Sequence, residues 1–307
     1  MEDLYRNLSA MLFLNIFLII IIIVPNYLDG LKKNSNFDAL VISMGGSGCT
    51  STIKRVAESH GKSPRLRINI FNNADRLKHA SPNYIQTKSP IIKYGIVYVT
   101  GNLTNALKSL CRRHFLKYQV GLLDGNKEWI DEQTYIPFPS SSSSVAETRP
   151  LFRNKPKHEA NEDHNISTKL LASEHPKVLR LRRILAKVGE DGVDPIGLRQ
   201  HFLKWLEVAK NKSLKHSILF VDMASTTDPN SPTSHALSQF VNATRDVPKK
   251  QLYDPNRRKD ADVLGLAISG AKSQKEKELV IKGLNLYNQW TVEMKEVDSK
   301  LFLSKNV

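Results

Sequence analysis

Cysteine is nearly absent. Only Cys49 and Cys111 occur in 307 residues, which excludes a disulfide scaffold, and neither clusters with histidine as a structural zinc site requires. The histidines, His114, His201 and His216 among them, lack metal-ligand spacing, and no metal is expected. No internal repeat is visible, and no Walker A pattern or dinucleotide fingerprint can be written through the chain. Acid is in deficit, with 30 Asp and Glu against 45 Lys and Arg, for a formal net charge of +15 and a pI near 9.7. Such a field concentrates anions: nucleotides, sulfated or acidic glycans, nucleic acid and acidic lipid. Charge alone does not choose among them.

What is present begins with an apolar run. Leu8 to Leu28 reads LSAMLFLNIFLIIIIIVPNYL, with only Asn15 strongly polar before Pro25. About twenty such residues can cross a hydrocarbon core of about 30 Å, so a transmembrane helix is expected. The rival is a cleaved signal peptide, but the preceding MEDLYRN is not positive and no small-x-small site follows. Arg6 on one flank faces Lys32 and Lys33 on the other, which leaves orientation open. Glycan-acceptor triplets at Asn7, Asn102, Asn165, Asn211 and Asn242 would be used if the body is lumenal.

The expected organisation is a stub and anchor over 1–30, a stem over 31–37 and an α/β domain over 38–307. Asp38 to Met44 (DALVISM) is a compact apolar run suited to a buried parallel strand. It leads into Gly45, Gly46, Ser47, Gly48, Cys49 and Thr50, and then into a helix STIKRVAESHG. Further strands are predicted at Leu66 to Phe71, Tyr94 to Thr100 and Ser217 to Met223. Helices are predicted over LTNALKSLCRRHF, KVLRLRRILAKVG, a segment capped by Asp194 and opened by Pro195, SHALSQFVNA, and a long C-terminal stretch ending near Leu301. Residues 137–168, with five consecutive serines, offer little to bury and read as a mobile insertion. Alternating strand, turn and helix predict a parallel sheet with helices on both faces and ligand at the carboxyl ends of its strands.

A glycine-rich turn between a buried strand and a helix presents successive backbone N–H groups beside the positive end of the helix dipole. Ser47 and Thr50 add hydroxyl donors, so the turn from Gly45 to Thr50 suits a phosphate. A plain tight turn is the structural alternative.

DALVISMGGSGCTSTIKRVAE resembles the 5′-phosphosulfate loop of the sulfotransferases, where a first strand leads into Y-P-K-S-G-T-T. IVYVTGNLTNALKSLCRR resembles their 3′-phosphate region, R-N-P-x-D-x-x-x-S, with Asn102 at the motif asparagine and Ser109 at its phosphate-binding serine. HFLKWLEVAKNKSLKHSILFVDMA and SQFVNA resemble later family segments, so the likeness spans roughly 38–245. It implies a three-layer P-loop-type α/β fold in a type II Golgi membrane protein. The implied reaction transfers a sulfuryl group from 3′-phosphoadenylyl sulfate to a hydroxyl of a glycan or other anionic acceptor, with no nucleic acid as partner. Gly46 stands where the family has a cation, Gly101 where it has the 3′-phosphate arginine, and Asn105 where it has aspartate; Arg112 and Arg113 are the cations that could compensate. Sulfuryl transfer needs a base, histidine or glutamate in the family. YIQTKSP, set against the K-T-H segment, nominates Lys88, with His79 and Glu58 as other candidates. Two alternatives remain open. One is a catalytically degenerate, binding-only member; the other is a nucleotide-sugar glycosyltransferase using Asp260 and Asp262.

Overall fold

A computed structural model describes residues 36–45, 52, 67–69, 77–112, 116–134, 175–243 and 262–304. The apolar run at 8–28, the insertion at 137–168, and Glu58, His114 and Asp260 lie outside them. Among the described residues no helix is long and apolar enough to cross a membrane.

Strand β1 (Asn36–Ser43) pairs in parallel with β2 (Ile91–Thr100), and β2 pairs in parallel with β3 (Ile218–Asp222). Each reads as a near-continuous apolar run because both faces of the sheet are covered. Leu40, Ile42, Ile96, Tyr98 and Phe220 join one cluster, whereas Ala39, Val41, Val97, Val99, Leu219 and Val221 join another. This is the period-two alternation of a strand with two buried faces.

The first face carries most of the helices. They are α1 (Pro82–Lys88), α2 (Leu103–Cys111), α3 (Leu116–Leu122), α4 (Lys127–Thr134), α5 (Pro176–Asp191), α6 (Leu198–Asn211), α8 (Val263–Ser269) and α9 (Gln274–Lys295). Helix α7 (Pro232–Phe240) brings Leu237 to the opposite face, where Val241 just beyond it also packs. The α/β architecture with helices on both faces thus stands.

Its strands differ from the expectation in two places. Of the predicted strand at Leu66 to Phe71, the described Ile68 makes an isolated parallel bridge to Ala39. Asn69 completes it with a side chain: Val41 N donates to Asn69 Oδ1 at 2.8 Å, and Asn69 Nδ2 donates to Val41 O at 2.8 Å. The sheet is also mixed. The C-terminal helix, expected to run to about Leu301, stops at Lys295, and a short strand β4 (Leu301–Phe302) runs antiparallel to β3. Ser299, at φ 60°, turns the chain after α9, and the turn is tied down by Ser299 N donating to Phe220 O at 2.9 Å.

The start of α6 is displaced too. Asp194 does not precede the first turn directly; the helix begins at Leu198 after Gly197, whose φ is 85°. The buried Asp194 carboxylate accepts from Ile196 N, Arg199 N and Tyr287 Oη. Asp194 is thus not the N-cap, which is Gly197 without a capping side chain; its carboxylate reaches the first-turn N–H of Arg199 from further upstream. The predicted helix over LTNALKSLCRRHF ends at Cys111, with Arg112 as its C-cap.

Candidate functional site

Ile68 bridges Ala39 on the side of β1 away from β2, so the chain leaves β1 in one direction and returns to β2 in the other. Such a reversal opens a crevice at the carboxyl ends of the strands. Here those ends are Ser43, Thr100 and Asp222.

Directly after β1 comes buried Met44 and then Gly45, at φ 90°. A Cβ at Gly45 would find room, since its nearest neighbours would be His79 Cε1 and Leu110 Cδ2 at 3.7 Å and Gln119 Oε1 at 3.8 Å. Backbone conformation, not crowding, therefore calls for glycine here. The same geometry identifies what lines the turn: a histidine, a leucine from α2 and a glutamine from α3.

The His79 ring is buried, and its Nδ1 lies 2.7 Å from Ser43 O. A carbonyl only accepts, so Nδ1 carries the proton and, in the neutral ring, Nε2 carries the lone pair. Ser43 N donates to Lys78 O at 3.0 Å, which clasps the 77–80 segment to the end of β1. Gln119 is 4% exposed and its Oε1 has no hydrogen-bond partner among the described residues. An unsatisfied buried acceptor costs about 1–3 kcal/mol, so its position at the turn marks a place where a donor would be welcome.

Of the sequence-nominated residues, Gly45 stands at this turn. Gly46, Ser47, Gly48, Cys49, Thr50 and Arg113 fall outside the described residues. The chain reappears at Thr52, buried, whose Oγ1 donates to Met223 Sδ at 3.5 Å just past β3. Asn102 caps α2, its Oδ1 accepting from Asn105 N at 2.8 Å, while Leu103 N donates to Thr291 Oγ1 at 3.0 Å. These first-turn donors are already engaged within the protein. Ser109 lies seven residues further, close to two full turns, so it shares a helix face with Asn102 at a rise of about 10 Å. Leu110, its neighbour, is the α2 residue that touches the turn.

Lys88 is at the other end of the molecule. It closes α1, which leads into the amino end of β2, and its ammonium sits 5.9 Å from the centroid of the Tyr84 ring. Because Ser43 pairs with Val99 and β2 begins only at Ile91, most of a strand, roughly 25 Å, separates Lys88 from Gly45. The side chain beside Gly45 is His79, not Lys88. His79 stands ten residues beyond Asn69 in a polar stretch, and no sequence pattern marks it.

Other polar groups at this edge are internally occupied. Asp222 accepts from Ser225 N and Oγ, and its own N–H donates to Asp298 Oδ1 at 2.8 Å. Elsewhere, Asp262 caps α8 by accepting from Gly265 N at 2.8 Å. Burial pushes the Cys111 thiol up to about 12, leaving it inert. No group of residues able to hold a metal ion occurs among the described residues.

Comparison with family models finds no match to this chain, and neither do comparisons with curated proteins and with solved structures.

Proposed function

We propose that this chain is a membrane-anchored, sulfotransferase-like protein of the Golgi, held by Leu8 to Leu28, with a nucleotide phosphate on the turn that begins at Gly45. The observation that carries the reading is the buried His79 ring against Gly45, hydrogen-bonded through Nδ1 to Ser43 O. In this reading Nε2 takes the proton of an acceptor hydroxyl as its oxygen bonds to sulfur. The bond from sulfur to the bridging oxygen breaks, and adenosine 3′,5′-bisphosphate leaves with the electron pair. Backbone N–H groups from Gly45 to Thr50 would hold the 5′-phosphosulfate, and Ser109 with Arg112 or Arg113 the 3′-phosphate.

A binding-only member is the second reading. It is favoured by Gly101 standing where the family has arginine, and by the Leu103 and Asn105 N–H groups at the start of α2 being taken within the protein. The glycosyltransferase alternative loses ground, because Asp262 of its aspartate pair serves as a helix cap.

A thermal-shift series with adenosine 3′,5′-bisphosphate, ATP and UDP tests the reading, since a ligand that binds only the folded state raises its midpoint. A rise with the bisphosphate alone is expected. A rise confined to UDP, or none with any ligand, would sink it. Transfer to an acceptor then separates enzyme from binder.

A further inference from the structure

The amino-terminal end of the sheet, opposite the Gly45 turn, has no role in the proposed chemistry, yet its surface is unusual. Ile91 opens β2 with 64% of its surface exposed, and its register partner is Asn36, the first residue of β1. Leu303, just past β4, is 57% exposed beside the end of α6. Around them stand exposed lysines. Lys88 closes α1, Lys93 extends from β2 over the Tyr94 ring, Lys212 caps α6, and Lys215 reaches Ser89 Oγ at 3.3 Å. Among the described residues three carboxylates border this end: Asp38, which accepts from Arg67 N and lies near Lys93, and Asp124 and Glu207, which flank α1 and the end of α6.

We infer that this end of the sheet, with Ile91 at its tip and Lys88, Lys93 and Lys215 around it, docks on a bilayer surface carrying anionic headgroups. The inference rests on the reading of residues 8–28 as an anchor. β1 starts at this end, and only residues 29–35 separate Asn36 from the apolar run. Seven residues reach at most about 25 Å, so an anchored chain holds this end near the headgroups. An exposed apolar side chain ringed by ammonium groups matches that interface in chemistry. Apolar atoms enter the acyl boundary, and each lysine near an anionic surface adds attraction. The Gly45 turn would then face away from the membrane, towards the acceptor.

The test uses the full chain reconstituted in phosphatidylcholine vesicles with and without a sialylated glycolipid, an anionic headgroup that a lumenal leaflet can carry. A photo-crosslinking amino acid replaces Ile91 or, as the control at the opposite end, exposed Asn230. Lipid adducts at position 91 should exceed those at 230 at least tenfold in anionic vesicles. The combined changes Lys88→Glu, Lys93→Glu and Lys215→Glu should abolish the excess without lowering the melting midpoint. Equal adducts at both positions, or an excess that survives charge reversal, would overturn the docking. Alkaline carbonate extraction separates the two failures: a retained chain without adducts at 91 overturns docking alone, and an extracted chain without adducts overturns the anchor as well.

Discussion

Gly189 and Gly283 face each other where α5 crosses α9, each Cα lacking the one atom the crossing has no room for. A Cβ on Gly189 would collide with Leu279 O and lie 3.1 Å from Gly283 N; a Cβ on Gly283 would collide with Leu185 O and lie 3.1 Å from Gly189 N. These are backbone atoms and cannot swing aside. Alanine is the better helix former by about 1 kcal/mol, but overpacking costs about 1–3 kcal/mol and should win. Gly283→Ala is therefore expected to lower the thermal midpoint by several degrees; a rise would mean the helices separate freely.

His79 should divide binding from chemistry. Replacement by glutamine is expected to cut transfer by about two to four orders of magnitude, the usual worth of a positioned base. Affinity for adenosine 3′,5′-bisphosphate should stay within about twofold. If affinity and transfer fall together, the ring serves only to hold the end of β1.

At Gln119 the expected signs are opposed for stability and binding. Methionine keeps the volume and removes the orphaned acceptor, so Gln119→Met should stabilise the ligand-free protein, by about 1–3 kcal/mol at most. The same variant should weaken whatever ligand supplies a donor to Oε1. A midpoint below that of the native chain would show that the carboxamide is satisfied within the protein.

His201 makes stability fall in acid. The ring is fully buried beside Tyr98, its Nδ1 accepting from Tyr98 Oη at 2.9 Å and its Nε2 donating to Ala80 O at 3.1 Å, and burial holds its pKa down to about 4. The unfolded chain, with an ordinary histidine pKa near 6.5, takes up the proton first. The contribution is complete above about 6.5 and is lost as pH falls towards 4, on the order of 3 kcal/mol in all. Asp194 is raised by burial and titrates with the opposite sign, gaining stability as pH falls, so the native profile mixes the two. Denaturant titration of His201→Phe from pH 7 to pH 4 isolates the histidine: that variant should lose less stability over the range than the native chain. Parallel curves would exclude His201 as the source.

Much of the frame is legible in the sequence because it rests on long-range hydrophobicity. DALVISM, YGIVYVT and SILFVDM are nearly continuous apolar runs, as a strand with two buried faces requires. The site was harder to see. Lys88 was nominated by likeness to a short motif, but Pro82 and the Ser81 cap, whose hydroxyl accepts from Tyr84 N, fold YIQTK into α1 at the wrong end of β2. His79 lies in a polar stretch without periodicity, and only the placement of the second strand segment beside β1 brings it to Gly45. Strand β4 was invisible because Ser299 takes a left-handed conformation without glycine or proline to announce it.

That turn has a consequence for solubility. Along the outer side of β3, Ile218 and Leu219 pair with Phe302 and Leu301, Phe220 exchanges hydrogen bonds with Ser299 and Lys300, and Asp222 N is taken by Asp298. The rim that would otherwise offer five residues of bare ladder to another chain is sealed nearly end to end, and its cover is only two residues of strand. A strip so short is a poor template for strand addition, so crowding these domains on one surface should not zip them together along β3.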